Sequence, residues 1–302
     1  MLHISIVEQN TGISKDLLRK WESRYGFPVP QRRQDGDRYY PREQVERLRT
    51  IKRLLDAGYR AHRVVPADSG ELRRLADGLG RPASQFLDPA FVECLLDALA
   101  SFDVLAVERL LKSAYIKNGV QRFVLDILAP MNVVVGDAWA SGRLQIHHER
   151  AYTETVVRLM HTIISGLEGQ ADGRLRILLA TPSGELHTLG LLMAQAMFML
   201  EGAQVVMLGQ QVPFSDLVAA ASRYRADVLG LSFSHAYSLR IGRLLLEDLR
   251  SELDPAIQII AGGSAVGRYG KLPEGVFPSE TLSAGINLIV ALRGQRHAAT
   301  RV

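Results

Sequence analysis

From residue 176 onward the chain repeats one pattern. A short apolar run is followed by a helix-like run, at intervals of roughly 30 residues, about the length of a strand–helix–strand unit. The apolar runs cover 176–180, 204–208, 227–233 and 258–261, with a weaker fifth at 275–277 before a helix over 284–292. Continuously apolar strands are buried on both faces, and strands that alternate with helices pair in parallel. The expected fold of 173–302 is therefore α/β, a doubly wound, flavodoxin-like parallel sheet. No Gly-x-Gly-x-x-Gly follows any of these runs, which argues against a nucleotide-dependent dehydrogenase. Open sheets of this kind bind ligands beyond the carboxyl ends of their strands. At the first such end stands Ser183-Gly184-Glu185-Leu186-His187-Thr188-Leu189-Gly190, a loop with a histidine at its centre, ahead of a long apolar helix from Leu191.

An acidic residue, one residue, a histidine, two residues and a glycine resembles the cobalamin-binding signature of the methionine synthase and methylmalonyl mutase type. The resemblance implies that His187 is the lower axial ligand of cobalt. It gives Glu185, where the family mostly has aspartate, the hydrogen bond to the far ring nitrogen. By themselves the six positions fit a helix-entry loop with a solvated histidine equally well. Three more stretches match the same fold. Leu208-Gly209-Gln210-Gln211-Val212-Pro213 is similar to its second strand and turn. Val228–Ser234 is similar to its third strand, with Ser232 in the family's Ser-x-Leu and Ser234 departing from it. Ile259-Ile260-Ala261-Gly262-Gly263-Ser264 is similar to its fourth, where glycine lets backbone approach the nucleotide tail. The resemblance therefore names Glu185, His187, Gly190, Ser232, Gly262 and Gly263 as cofactor-binding.

The other end of the chain has a different character. Residues 1–65 hold 14 Lys and Arg against 8 Asp and Glu, whereas the remainder holds 22 against 24. A basic first fifth suits an end that meets a polyanion. A short helix over 4–10, a turn at Thr11-Gly12-Ile13, and a second helix over 15–25 capped by Ser14 make helix–turn–helix grammar. The second helix carries Lys15, Arg19, Lys20 and Arg24 outward, with Leu17, Leu18 and Trp21 toward the core. Asp35-Gly36 signals a hairpin between Arg32 and Arg38, and Pro41 opens a helix that Gly58 ends. Thr11-Gly12-Ile13-Ser14, Leu18-Arg19-Lys20-Trp21-Glu22, Arg24-Tyr25-Gly26 and Gly36-Asp37-Arg38-Tyr39-Tyr40 together resemble the winged-helix DNA-binding domain of the MerR family. That resemblance implies double-stranded promoter DNA as partner. Lys15, Arg19, Lys20, Arg24, Arg32 and Arg38 are then the DNA-facing set, and Tyr39 packs the wing on the duplex.

Residues 66–88, broken by Pro66, Gly70, Gly78, Gly80 and Pro82, read as a linker with a short helical piece at 71–76. They also break the long helix of metal-sensing members. Residues 89–172 have helical spacing, enough for a four-helix bundle, with turns at 101–103 and 117–119. Within it, Pro130–Trp139 and Ser141-Gly142-Arg143-Leu144 resemble the cap of CarH/LitR-like cobalamin photoreceptors. There a tryptophan, nine residues and Glu-His face the upper ligand. Here Trp139 is followed after nine residues by Glu149, but Arg150 stands in place of the histidine, and His147 and His148 precede. The resemblance implies cofactor contact from Trp139 and Glu149, with His148 as a substitute for the displaced histidine.

The expected function is a DNA-binding transcription regulator, a homo-oligomer such as a dimer or tetramer, sensing adenosylcobalamin and through it light. The alternative is a regulator of the same build with a cofactor-free domain, as in MlrA-like relatives. A corrinoid methyl-carrier is more distant, since it needs no basic DNA-reading end. No serine elbow or substrate barrel supports an enzyme. No run approaches about 18 uncharged apolar residues, so no membrane partner is expected. The lone Cys94, expected in the core, and a first segment without a leader pattern fit the cytoplasm.

Overall fold

A computed structural model of the chain describes all residues except 12, 33–35, 57–58, 78–86, 169–174 and 300–302. The chain divides into two compact units, Met1–Leu110 with Ala129–Tyr152, and Leu111–Leu128 with Thr153–Val302.

The first unit begins with β1 (Leu2–His3), α1 (Ile4–Thr11), α2 (Lys15–Tyr25), β2 (Gln31–Arg32), β3 (Arg38–Tyr40) and α3 (Arg42–Asp56). Ser14 accepts the Leu17 N–H at 3.3 Å and so starts α2. Gly26, in the left-handed region at φ 67°, stops it and returns its own N–H to the Glu22 carbonyl. The wing is a small antiparallel sheet ordered β1-β3-β2. Strand β1 was not expected, because its two residues gain strand character only by pairing with Tyr39 and Tyr40. Leu18 and Trp21 are buried beneath α2, but Leu17 is 37% exposed and lies off the core face. Of the turn signals, Gly12, Asp35, Gly58, Gly78, Gly80 and Pro82 lie outside the described residues.

The core of this winged unit does not stop at 65. Val64, Val65, Ala67 and Leu72 are buried in one cluster with Ile4, Val7, Leu48 and Leu54. Two short helices, α4 (Ala61–Val64) and α5 (Ser69–Asp77), and the turn between them supply them. Arg47 on α3 fastens the connection, donating to the carbonyls of Val65 at 3.3 Å and Ala67 at 2.7 Å. The first part of the expected linker is thus packed structure.

Four helices follow: α6 (Pro89–Ala100), α7 (Val104–Arg122), α8 (Ala129–Ala140) and α9 (Ile146–Leu167), with one wide turn at Phe123–Leu128 between α7 and α8. Helix α6 buries Val92, Leu95, Leu96 and Leu99. That face leaves Cys94 outside, exposed rather than in the core. The turn expected at 117–119 takes the form of a break inside α7, where Gly119 sits at φ 72°, ψ 171°. Arg143, beyond α8, clasps Glu93 at 2.6 Å and Asp97 at 3.1 Å on α6. The stretch Val104–Ala140 is long and apolar enough by composition to cross a membrane, with 39% of its apolar window buried within the fold. Gly119 interrupts it, and Lys112, Lys117 and Arg122 lie along it.

The second unit carries β4 (Arg176–Pro182), α10 (Leu189–Leu200), β5 (Gln204–Val212), α11 (Phe214–Tyr224), β6 (Val228–Ser232), α12 (Leu239–Glu252), β7 (Gln258–Gly262), β8 (Val276–Ser279) and α13 (Leu282–Ala299). The strands lie in the order β5-β4-β6-β7-β8, all parallel. Leu178, Leu229, Leu231 and Ile259 are buried in one cluster with Leu217, Leu246 and Leu249 of α11 and α12. The chain leaves β4 toward β5 on one side, then returns to place β6 on the other. The crevice between the carboxyl ends of β4 and β6 is the topological switch point, where such a sheet takes its ligand.

Candidate functional site

Two loops meet at that crevice, Ser183–Thr188 after β4 and Phe233–Ser238 after β6. Glu185 joins them. Its side chain is 2% exposed. One carboxylate oxygen accepts the His187 N–H at 2.9 Å and lies 2.7 Å from His187 Nδ1. The other accepts the Ser234 N–H at 2.7 Å, across 49 residues of sequence. Thr181 holds the loop from behind, donating its hydroxyl to the Glu185 carbonyl at 2.7 Å and accepting the Gln211 N–H at 3.0 Å. Tyr237 donates to the Ser183 carbonyl at 3.1 Å.

Burial works against the charged form of Glu185. The hydrogen bonds from His187 and Ser234 outweigh it and take the carboxyl from 4.5 down to about 2. An ionised carboxylate accepts from Nδ1–H, so the tautomer of His187 leaves Nε2 as the basic nitrogen. The ring itself is 69% exposed. A second-sphere carboxylate on one nitrogen, with the other presented outward, is the arrangement of a metal-binding imidazole. Among the described residues no group of three or more His, Cys, Asp or Glu is placed to hold a metal ion.

A folded carboxyl held below its unfolded value contributes stability above the unfolded pKa and loses it as pH falls through the folded one. The Glu185 contribution, up to about 3 kcal/mol, is therefore expected to be complete above pH 4.5 and to vanish between pH 4.5 and about 2. Chemical unfolding followed against pH checks this. Glu185→Gln should flatten that slope.

The glycines play different parts. Gly190, in the first turn of α10, faces Ser232: an added Cβ would come within 3.3 Å of its hydroxyl. Gly262 has room for one, with only the Leu231 and Ser279 carbonyls at 3.7 Å. Gly263 does not. It sits at φ 101°, and a Cβ there would run into the Phe233 carbonyl. Its glycine is demanded by the protein's own backbone, whatever ligand approaches. His235 lies in the loop after β6, its Nδ1 3.4 Å from the Ser264 carbonyl, while Arg268 donates to the His235 carbonyl at 2.9 Å.

The cap residues belong to the first unit. Trp139 is half-buried near the end of α8. Glu149, in the first turn of α9, lies 3.8 Å from Arg150 Nε. His148 is buried, and its Nδ1 accepts the Gln145 N–H at 3.0 Å. That is the reach-back of a helix capping box, so one ring nitrogen is used to start α9. Burial, then the neighbouring His147, hold its pKa below the usual histidine range. Phe102 stands beside both rings, 5.6 Å from His147 and 6.1 Å from His148, an aromatic neighbour the sequence spacing did not reveal.

In the winged unit Arg19, Lys20, Arg24 and Arg32 are exposed, Lys15 and Tyr39 partly so. Arg38 is turned inward, its Nε donating to Glu22 of α2 at 2.9 Å. Tyr39 lies on the other face of β3, edge-on to His3.

Comparison with known proteins agrees with this layout. The family described as MerR HTH family regulatory protein matches residues 2–64. A B12 binding domain matches residues 92–164 and another matches 175–272. The HTH-type transcriptional repressor CarH of Myxococcus xanthus is 31% identical over 272 residues, 87% of this chain and 88% of its own. The repressor CarA of the same organism is 29% identical over 87% of this chain and 86% of its own. The structure of the Methanosarcina barkeri monomethylamine corrinoid protein shares the fold, with a TM-score of 0.55 at 18% identity over 66% of this chain and 96% of that one. The chain therefore belongs to the CarH/CarA family of MerR-type regulators, DNA-binding proteins and not enzymes, whose B12-binding domains sense cobalamin.

Proposed function

We propose that this chain is a light-responsive transcriptional repressor whose sensory ligand is adenosylcobalamin, with His187 as the residue that would hold its cobalt. The observation that carries the reading is the Glu185–His187 pair at the switch point of a B12-binding sheet, 2.7 Å apart and on the same chain as a winged helix. Repression is supported by the names of CarH and CarA, which match it over most of their length. Adenosylcobalamin supplies a cobalt–carbon bond that light can break. The chain's own residues do the rest. Glu185 fixes the imidazole's tautomer and direction, and Gly190 and Gly262 are proposed to let the cofactor approach the strand ends. Winged units linked in an oligomer gain DNA affinity through effective concentration. A change of assembly on illumination would then change operator occupancy.

The test is direct. Protein mixed with adenosylcobalamin in the dark and desalted should carry a corrinoid absorption spectrum. Dark and illuminated samples should elute differently from a sizing column and differ in promoter binding by tenfold or more. A colourless desalted protein would instead favour a cofactor-free contact domain, the reading toward which Ser234 and Arg150 lean. A coloured protein with identical dark and lit elution would remove the light response and leave cofactor binding standing.

A further inference from the structure

We propose that Glu22 positions the wing for DNA by holding Arg38 inward, which leaves Arg32 to face phosphate among the wing's described residues. The pleat of β3 sets this up. Side chains two apart share a strand face, and Tyr40 is completely buried. Arg38, two residues before it, therefore faces the helices and not the solvent. It meets Glu22 of α2 at 2.9 Å, and each side chain is only about a quarter exposed, 23% and 24%.

The wing also contains a conflict that Glu22 resolves. Arg32 and Arg38 are directly opposed across β2 and β3. Like charges in that position push a strand pair apart. A hairpin of two and three residues has little stability of its own. The second oxygen of Glu22 lies 3.8 Å from Arg32, so one carboxylate stands against both guanidiniums. The two are not held alike. Arg38 has a short, half-buried bond, while Arg32 is loosely paired and 62% exposed, free to exchange carboxylate for phosphate. Glu22 also sits on the helix that presents Arg19, Lys20 and Arg24. One side chain thus fixes the spacing between recognition helix and wing, which has to match the spacing of the duplex grooves.

The experiment turns on a sign. A carboxylate near a DNA-facing surface repels phosphate, so its removal should tighten binding if repulsion is all it contributes. A positioning role has the opposite consequence. Full-length protein would be titrated against a duplex selected by the parent from a random-sequence pool, over a series of salt concentrations. Glu22→Ala is expected to weaken binding about tenfold, despite the gain in net positive charge. Glu22→Gln, whose amide oxygen can still accept from Arg38, should fall between the two and also guards against loss of folding, read from the unfolding midpoint. Arg32→Ala should lower the slope of log affinity on log salt by about 0.9, one phosphate contact. The double variant Glu22→Ala with Arg38→Ala should lose no more than the worse single, because the two act as one unit. Glu22→Ala binding as tightly as the parent, or more tightly, would overturn the proposal, as would additive losses in the double variant. The inference rests on the winged unit reading DNA, and Arg19→Ala tests that separately. A loss there with none at Glu22 would discard the tether alone.

Discussion

Replacing His187 with alanine is expected to lower cobalamin affinity by about two orders of magnitude or more, beyond the 10- to 100-fold typical of an outer-sphere partner. The fold should survive the change. Glu185 keeps two of its three donors, the backbone N–H groups of residue 187 and Ser234, at 2.9 and 2.7 Å. The buried carboxylate is therefore not orphaned, and the cost of an unpaired buried charge does not arise. What disappears is a single outward-facing nitrogen whose tautomer the carboxylate had fixed. An absorption titration with adenosylcobalamin reads both affinity and the cobalt environment. Any residual complex should show the spectrum of a cofactor coordinated by its own base. A variant that binds within threefold of the parent with an unchanged spectrum would remove His187 from the metal.

Gly263→Ala is expected to destabilise the second unit by about 4 kcal/mol, combining the strain of a left-handed backbone with overpacking. The residue sits at φ 101°, and its new methyl would collide with the Phe233 backbone. Backbone cannot swing aside as a side-chain tip can. The Phe233 N–H is bonded to the Gly262 carbonyl at 2.8 Å, and its own carbonyl accepts from Ala265 at 3.3 Å. Gly262→Ala, one residue earlier, meets only ordinary contacts at 3.7 Å. It should therefore leave stability within about 1 kcal/mol of the parent. Denaturant unfolding of the two variants side by side measures the difference. Equal midpoints would mean that the turn after β7 yields more easily than its bonding suggests.

Much of this architecture was legible because its signals are local. Apolar runs followed by amphipathic ones declare a parallel sheet wherever they occur, and all five strands fall where those runs fall. The Glu185–His187 contact spans two residues, so spacing alone could bring it forward. The tie from Glu185 to Ser234 could not be read that way, since it depends on β6 lying beside β4. Its donor is a main-chain N–H, which any residue at 234 except proline would offer. The same limit applies to Arg38. Basic residues in a wing suggest phosphate contact, and only the burial of Tyr40 shows which face of β3 the arginine shares. Cys94 was misplaced because cysteine is apolar by type, whereas its position on α6 is settled by the Val92-Leu95-Leu96-Leu99 face. At Gly263 spacing could not show a second requirement, that the neighbouring strand end itself demands glycine.

The staple from Arg47 to the carbonyls of Val65 and Ala67 bears on how the DNA-reading head can be excised. A fragment cut at residue 65 would sever the guanidinium from one of its two acceptors and strip Leu72 from the hydrophobic floor beneath α3. The hydrophobic cluster of the winged unit takes in Leu72 of α5, which ends at residue 77. Grafting that longer cassette onto another sensor would transplant the reader with its foundation intact.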